Sequence, residues 1–298
     1  MSYRYAITET TKQNLRRIAG EQIDKAMRDL VFENIKNAGG IHEARKEFKK
    51  IRALLRLVRP ALGNNYTRLN GMFRGAGREF SDFRDAKVMA ATCSNLENHF
   101  KPQAKKALFA GIQSLLDKRR EDLMSKQGQI KKKVQRVRDM LNDSQKVIAS
   151  CKMGAEGFDA VGGGLTRIYR RGRKAFVNAY DTPSMQNFHD WRKRVKDYLY
   201  HMRLLRDMWP PVIKGCCFSL EDLSHILGDE HDLSILSEYI DGVSEAHLNS
   251  EDRAVLKDLI TLRQSELRAS ARARGKRLYA EKPKAFRTRF EQYWLAWS

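Results

Sequence analysis

Only six prolines and four cysteines occur among the 298 residues. With so few prolines, long uninterrupted helices are open to the chain. The cysteines are Cys93, Cys151, Cys216 and Cys217. They form no C-x-x-C pair and no disulfide-like framework, which argues against a stapled secreted fold and fits a reducing cytoplasm. No run of about 18 apolar residues is present, so no membrane span is expected. The first twenty residues lack an apolar signal region, so a secreted form is not expected either. Period-two alternation is hard to find, which leaves little room for strands. Acidic residues are also in short supply, 36 against 57 Lys and Arg. The formal charge is +21 and the pI is near 9.9, a field that steers and holds polyanions. A hydrophobic fraction of 42% still suffices for a core and argues against wholesale disorder.

The chain does contain a repeat. The segment 41–59 and the segment 188–206 carry nearly the same basic helix at a constant offset of 147. His42 matches His189, Arg45 matches Arg192, Lys46 matches Lys193 and Lys49 matches Lys196. Arg56 and Arg59 match Arg203 and Arg206, and the register persists to Arg84 and Asp85 against His231 and Asp232. Helical spacing places His42, Arg45, Lys49, Arg52, Arg56 and Arg59 on one edge, beside an apolar face of Ala44, Phe48, Ile51, Leu55 and Val58. In the second copy the edge is His189, Arg192, Lys196, Arg203 and Arg206, interrupted by Leu199. Its apolar set is Trp191, Val195, Tyr198, Met202 and Leu205. Charged helix residues are usually a solvated face. Such faces normally mix signs, whereas here only Glu43, Glu47, Asp190 and Asp197 relieve the cations. Like charges at these spacings repel by a few tenths of a kcal/mol per pair, so a neutralising anion explains the row better.

Helical periodicity elsewhere gives about ten to twelve helices with short connections. Leu15, Ile18, Ala19, Gln22, Ile23, Ala26 and Leu30 form an amphipathic opening helix. Gly39 and Gly40 precede the first basic helix, and Pro60 with Gly63 ends it. Ser81 or Asp82 is expected to cap a helix through Val88 and Leu96, Pro102 to open the next, and Lys131 to Leu141 to close the half. The cluster from Gly154 to Gly164 reads as a seam between halves 1–153 and 154–298. Weaker echoes at offsets 150 (Leu15 to Ile18 against Leu165 to Ile168) and 144 (Arg119 to Leu123 against Arg263 to Leu267) extend the repeat over most of the chain. One all-α domain of two pseudo-symmetric helical bundles is expected, with both basic helices turned toward a shared surface.

These residues resemble the CHAD family of α-helical domains. His42, Arg45, Lys49, Lys50 and Arg52 fill its first signature, a His followed by Arg at +3 and further basic residues. His189, Arg192, Lys193 and Lys196 fill its His-x-x-Arg-Lys-x-x-Lys pattern. Leu227 to Asp232 is similar to its Leu-Gly-x-x-x-Asp turn, with Phe83 to Lys87 as the first-half counterpart, and Leu165 to Lys174 resembles another family helix. The resemblance runs from about residue 10 to the C-terminus. It implies two related bundles around a basic cleft or pore, and binding of inorganic polyphosphate, often at polyphosphate granules, without catalysis. Lys stands where Arg is usual at 49 and 50, trading forked donors for point charges. Leu199 and Tyr200 replace Arg52 and Ala53, so unequal halves are expected. The chain has no room for a fused CYTH triphosphatase domain.

A phosphate polymer offers charge on every unit and no base edges, so its receptor needs closely spaced cations and no stacking platform. Arg45, Lys49, Arg52, Arg56, Arg192, Lys196 and Arg203 are the candidates, with Lys46 and Lys193 secondary. Arg17, Arg167, Arg170, Arg171, Arg173 and Lys174 extend the track. His42 and His189 either donate to phosphate or merely pack at their helix starts. Nucleic acid is the rival ligand, although no reading motif and no interleaved aromatics accompany the stripes. An enzyme acting on phosphate chains would need metal-holding carboxylates. Glu43, Asp82, Asp85, Asp190, Asp229 and Asp232 are better spaced for caps and ion pairs. The seven histidines, His42, His99, His189, His201, His225, His231 and His247, show no H-x-x-x-H pair, so neither metal nor cofactor is expected.

Overall fold

The computed structural model describes residues 3–31, 39–101, 106–125 and 127–298, with side chains given except at 81–87, 106–107, 120, 123–124 and 127. Pro102 and the side chains of Asp82, Arg84 and Asp85 therefore lie outside the described residues. No strand occurs among those described. Twelve α-helices do, from α1 (Thr11–Asp29), α2 (Gly39–Leu57), α3 (Arg59–Leu62) and α4 (Asn65–Arg78) to α5 (Ser81–Phe100), α6 (Lys106–Ser125) and α7 (Gln127–Ser150). The chain continues through α8 (Gly157–Asp181), α9 (Met185–Leu204), α10 (Pro210–Asp241), α11 (Ser250–Leu278) and α12 (Pro283–Trp297).

Local chemistry sets the helix starts. Thr10 and Gln13 form a capping box on α1, each side chain bonding the other's backbone N–H, at 3.2 and 2.8 Å. Ser184 caps α9 through the Asn187 N–H, and Asn249 caps α11 through the Asp252 N–H. Proline opens α10 and α12, where its missing N–H costs nothing. Helix α5 begins at Ser81 with Phe80 in the cap position; the side chains of Ser81 and Asp82, one of which was expected to cap it, lie outside the described residues.

Helix boundaries follow the sequence offsets. Shifting α2 by 147 gives 186–204, and α9 occupies 185–204; shifting α1 by 150 gives 161–179, inside α8. Shifted α4 and α5 both land on α10, a single rod of 32 residues and about 48 Å. The break at Glu79 and Phe80 thus has no counterpart in α10. Two apolar clusters result, and each takes helices from both halves. The larger joins α1, α2, α3, α4 and α7 to α8, α9, the first part of α10, the end of α11 and α12. The smaller joins α5 and α6 to the remainder of α10 and to α11.

The glycine-rich stretch divides into two parts. Gly154 lies in the connection before α8, whereas Gly162, Gly163 and Gly164 are helical. A β-carbon at Gly164 would collide with the backbone carbonyl oxygens of Arg56 and Leu57, and one at Gly163 would press on Pro60. What reads as a seam is in part a packing face, where α8 crosses the C-terminal end of α2.

Candidate polyanion-binding site

Helices α2 and α9 carry the repeated cations and pack against each other. His201 is fully buried, with Nε2 2.9 Å from the Ala53 carbonyl oxygen. Arg56 Nη1 donates to Asp197 Oδ1 at 2.8 Å, and Arg194 Nη1 reaches the other carboxylate oxygen at 2.9 Å. Under the offset of 147, Arg194 corresponds to Glu47 and Asp197 to Lys50. The first copy accordingly holds a Lys50–Glu47 pair at 2.7 Å, and the second an Arg194–Asp197 pair with the signs exchanged. Because the charge inverts, comparing the copies for shared cations passes over Arg194.

Around Asp197 the cations crowd. Burial, then the charge of Arg56, lowers the Arg52 pKa to about 10, with Arg74 adding to the shift. Arg52 Nε donates to a neutral partner, Asn70 Oδ1, at 3.1 Å. Burial lowers the Arg194 pKa as well; Asp197 opposes the shift, while Arg171 and Arg56 reinforce it. Arg171, Lys174, Lys193 and Arg194 line a groove between α8 and α9 together with Asp190. Six cations, these four with Arg52 and Arg56, therefore face two carboxylates, Asp190 and Asp197.

A second groove of about 640 Å³ lies where α3 and α4 meet α8 and α12. Arg59, Arg167, Arg170 and Arg287 line it, with Tyr66, Asn64 and Gly163, and no Asp or Glu among the described residues does. Arg59 stacks over the Tyr66 ring at 4.5 Å. The two grooves are joined by one edge of α8, where Arg167, Arg170, Arg171 and Lys174 are exposed at helical spacing. From Gly163 to Asn178 this edge runs about 22 Å. The tract is laid out along α8, which sequence reading ranked only as an extension of the stripes. Arg59, Arg194 and Arg287 were not among the candidates. Arg59 was visible at the end of the first stripe, and Arg194 in the Arg192-Lys193-Arg194 run, whereas nothing near Arg287 marks it.

The other candidates disperse. Lys46 pairs with Glu43 at 2.7 Å and Lys193 with Asp190, both within their own helices. Lys50 goes to Glu47, and Arg203 bonds Glu221 of α10 through Nη2 at 2.7 Å and Nε at 3.2 Å. Arg45 Nη1 donates to the Gly77 carbonyl of α4, and Arg192 is 8% exposed beside Gly228 of α10. Lys49 and Lys196 are half-buried. Arg17 leaves the track altogether: Glu9 accepts its Nε at 2.8 Å, and the Arg4 carbonyl and Asn14 Oδ1 take Nη2. Arg173 also leaves it, donating to the Tyr279 carbonyl at 3.2 Å on another side of α8. His42 is exposed, while the His189 ring lies on that of His231, with centroids 4.1 Å apart.

A third basic groove differs in kind. Arg4, Lys50, Arg203, Arg206 and Lys214 line it with Glu221, and Phe218 stands in it 74% exposed. Among the described residues no group of three His, Cys, Asp or Glu could hold a metal ion, and no helix is long and apolar enough to cross a membrane.

Residues 16–241 match the model of the CHAD domain. The fold is similar to the crystal structure of the CHAD domain from the plant Ricinus communis, with a TM-score of 0.65 and 16% identity over 95% of this chain and 95% of that one. No curated protein matches the sequence.

Proposed function

The chain belongs to the CHAD domain family, whose domains are associated with polyphosphate binding, and from that premise we propose that it binds inorganic polyphosphate, unaltered, along the α8 tract. One observation carries the reading: Arg52, Arg56, Arg171, Lys174, Lys193 and Arg194 crowd around the carboxylates of Asp190 and Asp197, and the adjoining groove is lined by four arginines and, among the described residues, no acid. Half-buried guanidiniums in surplus repel one another. A linear polyanion relieves that repulsion at every turn of α8, and arginine offers it paired donors. Arg167, Arg170, Arg171 and Lys174 grip the polymer from α8, Arg52, Arg56 and Arg59 from α2 and α3, and Arg194 from α9.

The reading is non-catalytic because the carboxylates near the tract serve cations. Asp197 holds Arg56 and Arg194, and Asp190 holds Lys193. A protein that grips the polymer without cleaving it is suited to residence at cytoplasmic polyphosphate granules.

Nucleic acid is kept as a second reading by a specific residue. Phe218 is an exposed ring in a basic groove, which is what a stacked base requires. Titration with long-chain polyphosphate and with single-stranded RNA, each in competition with the other, separates the two. Polyphosphate is expected to displace RNA at matched phosphate concentration, and its affinity to fall about a thousandfold or more between 50 and 200 mM salt if six or more charges are neutralised. Preferential RNA binding that Phe218→Ala abolishes would reverse the assignment.

A further inference from the structure

A cavity of about 380 Å³ opens between α5, α10 and α11, in the smaller apolar cluster. It shares no lining residue with the three basic grooves. Its floor is apolar: Leu96, Leu233 and Leu267 are each buried. Thr92 joins them, but its hydroxyl donates to the Val88 carbonyl at 2.9 Å, so that donor is spent inside α5. The volume sits at the small end of the range for organic ligands, and an apolar floor under a few polar groups is the usual form of such sites.

The rim carries charge of both signs. Arg263 enters from α11 and Asp229 from α10, with Asn95, Asn98 and His99 of α5 completing the mouth. Glu266 Oε2 accepts from Arg263 Nη1 at 2.7 Å and lies 2.9 Å from His99 Nε2. Among the described residues the other edge of the Arg263 guanidinium stays open. Asp229 has no hydrogen bond or ion pair among them. With two carboxylates, Asp229 and Glu266, set against Arg263 and His99, the mouth has none of the positive surplus of the α8 tract, so a polyanion is not its occupant.

We propose that this cavity binds a small zwitterion with an apolar side chain, of which free leucine, methionine and phenylalanine are the simplest examples. The side chain lies on Leu96, Leu233 and Leu267. The ammonium meets Asp229, the carboxylate meets the open edge of Arg263, and the amides of Asn95 and Asn98 fill the remaining positions at the mouth. Desolvation, then the charge of Asp232, raises the Asp229 pKa even against the opposing charges of Arg263, His225 and Arg192, so a cation placed there offsets the remaining desolvation. A ligand with only one charge satisfies half of the rim, and a ligand without a side chain leaves the leucine floor wet.

The inference does not depend on the polyphosphate reading, and its test keeps the two apart. The full chain is titrated calorimetrically with L-leucine, L-methionine and L-phenylalanine, and with their N-acetyl and amide derivatives. At least one free amino acid is expected to bind, both derivatives of it to fail, and Asp229→Asn and Arg263→Gln each to weaken binding about tenfold or more. Both positions lie at the mouth, so folding is checked by circular dichroism and polyphosphate affinity is expected to persist. Absence of binding at millimolar concentration overturns the proposal. So does equal binding of an N-acetyl derivative, or indifference to both variants.

Discussion

Asp197 offers the sharpest perturbation, because stability and binding should move in opposite directions. Its side chain is 10% exposed and holds Arg56 and Arg194, whose side chains are each 14% exposed. Replacing it with asparagine keeps the shape and one acceptor but removes the charge that separates two guanidiniums. Removing one partner of a buried pair costs about 3–5 kcal/mol, and the retained acceptor and partial solvation reduce this to about 2–3 kcal/mol. At about 2 °C per kcal/mol for a chain of this size, the melting temperature without ligand should fall by about 5 °C. The same change removes a repulsive charge from the path of an anion. At about 5 Å and an effective dielectric constant near 20 that repulsion is at most about 3 kcal/mol, so after screening by salt roughly tenfold tighter polyphosphate binding is expected. Polyphosphate at a hundredfold over its Kd adds about 2.7 kcal/mol of stability to the wild type. At equal polymer concentration the variant should gain more, closing part of its deficit. Thermal unfolding with and without polyphosphate, paired with direct titration, reads both effects. If Asp197→Asn melts lower yet binds polyphosphate no tighter, the anion does not sit among Arg52, Arg56 and Arg194.

Two further outcomes test the scaffold. Gly164→Ala drives a methyl into the Arg56 and Leu57 carbonyls, and backbone cannot swing aside as a side chain can. A loss of about 2–3 kcal/mol is expected from overpacking, even after the gain in helix propensity, together with weaker polyphosphate binding as α8 lifts from α2; chemical denaturation and titration check both. His201 is a base whose pKa burial lowers to about 4, while in the unfolded chain it titrates near 6.5. Between those values the unfolded state binds the extra proton, so this contribution is complete above about pH 6.5 and is lost as pH falls toward 4. From pH 7 to 5 the loss is about 2 kcal/mol in urea unfolding, and His201→Gln should flatten that slope whatever its own stability; an unchanged slope contradicts a neutral, buried His201.

Much of the fold is legible in the chain because helical signals are local. The amphipathic opening helix from Leu15 to Leu30 and the 147-residue offset each depend on residues near in sequence or on simple repetition. The helix α2 ends where Pro60 and Gly63 announce it, and α9 falls within one residue of the shifted α2. The glycines at 162–164 lie inside α8 for a physical reason. Glycine breaks a helix only where nothing supports it, and at Gly164 α2 packs so closely that only glycine fits. The basic character of the candidate tract was legible in the chain, but which cations the fold gathers together was not. Helical periodicity groups cations by edge, yet whether a cation is in surplus depends on acids that arrive from elsewhere in the fold. Glu221 reaches Arg203 from α10, Glu9 reaches Arg17 from the segment before α1, and Asp197 lies 141 residues from Arg56. Arg194 escaped notice because its repeat partner is an acid, and Arg287 because α12 carries no repeated motif.

The central claim is that polyphosphate follows the α8 edge rather than the repeated stripes as such. Two quadruple variants decide it: Arg167→Gln, Arg170→Gln, Arg171→Gln and Lys174→Gln in one protein, and Arg17→Gln, Lys46→Gln, Lys50→Gln and Arg203→Gln in the other. Both remove four positive charges, so their long-range fields are matched. Titrated with polyphosphate of defined length at fixed salt, the α8 variant is expected to lose about a hundredfold or more in affinity and the acid-paired variant less than about tenfold. Equal losses, or the greater loss in the second variant, contradict the account.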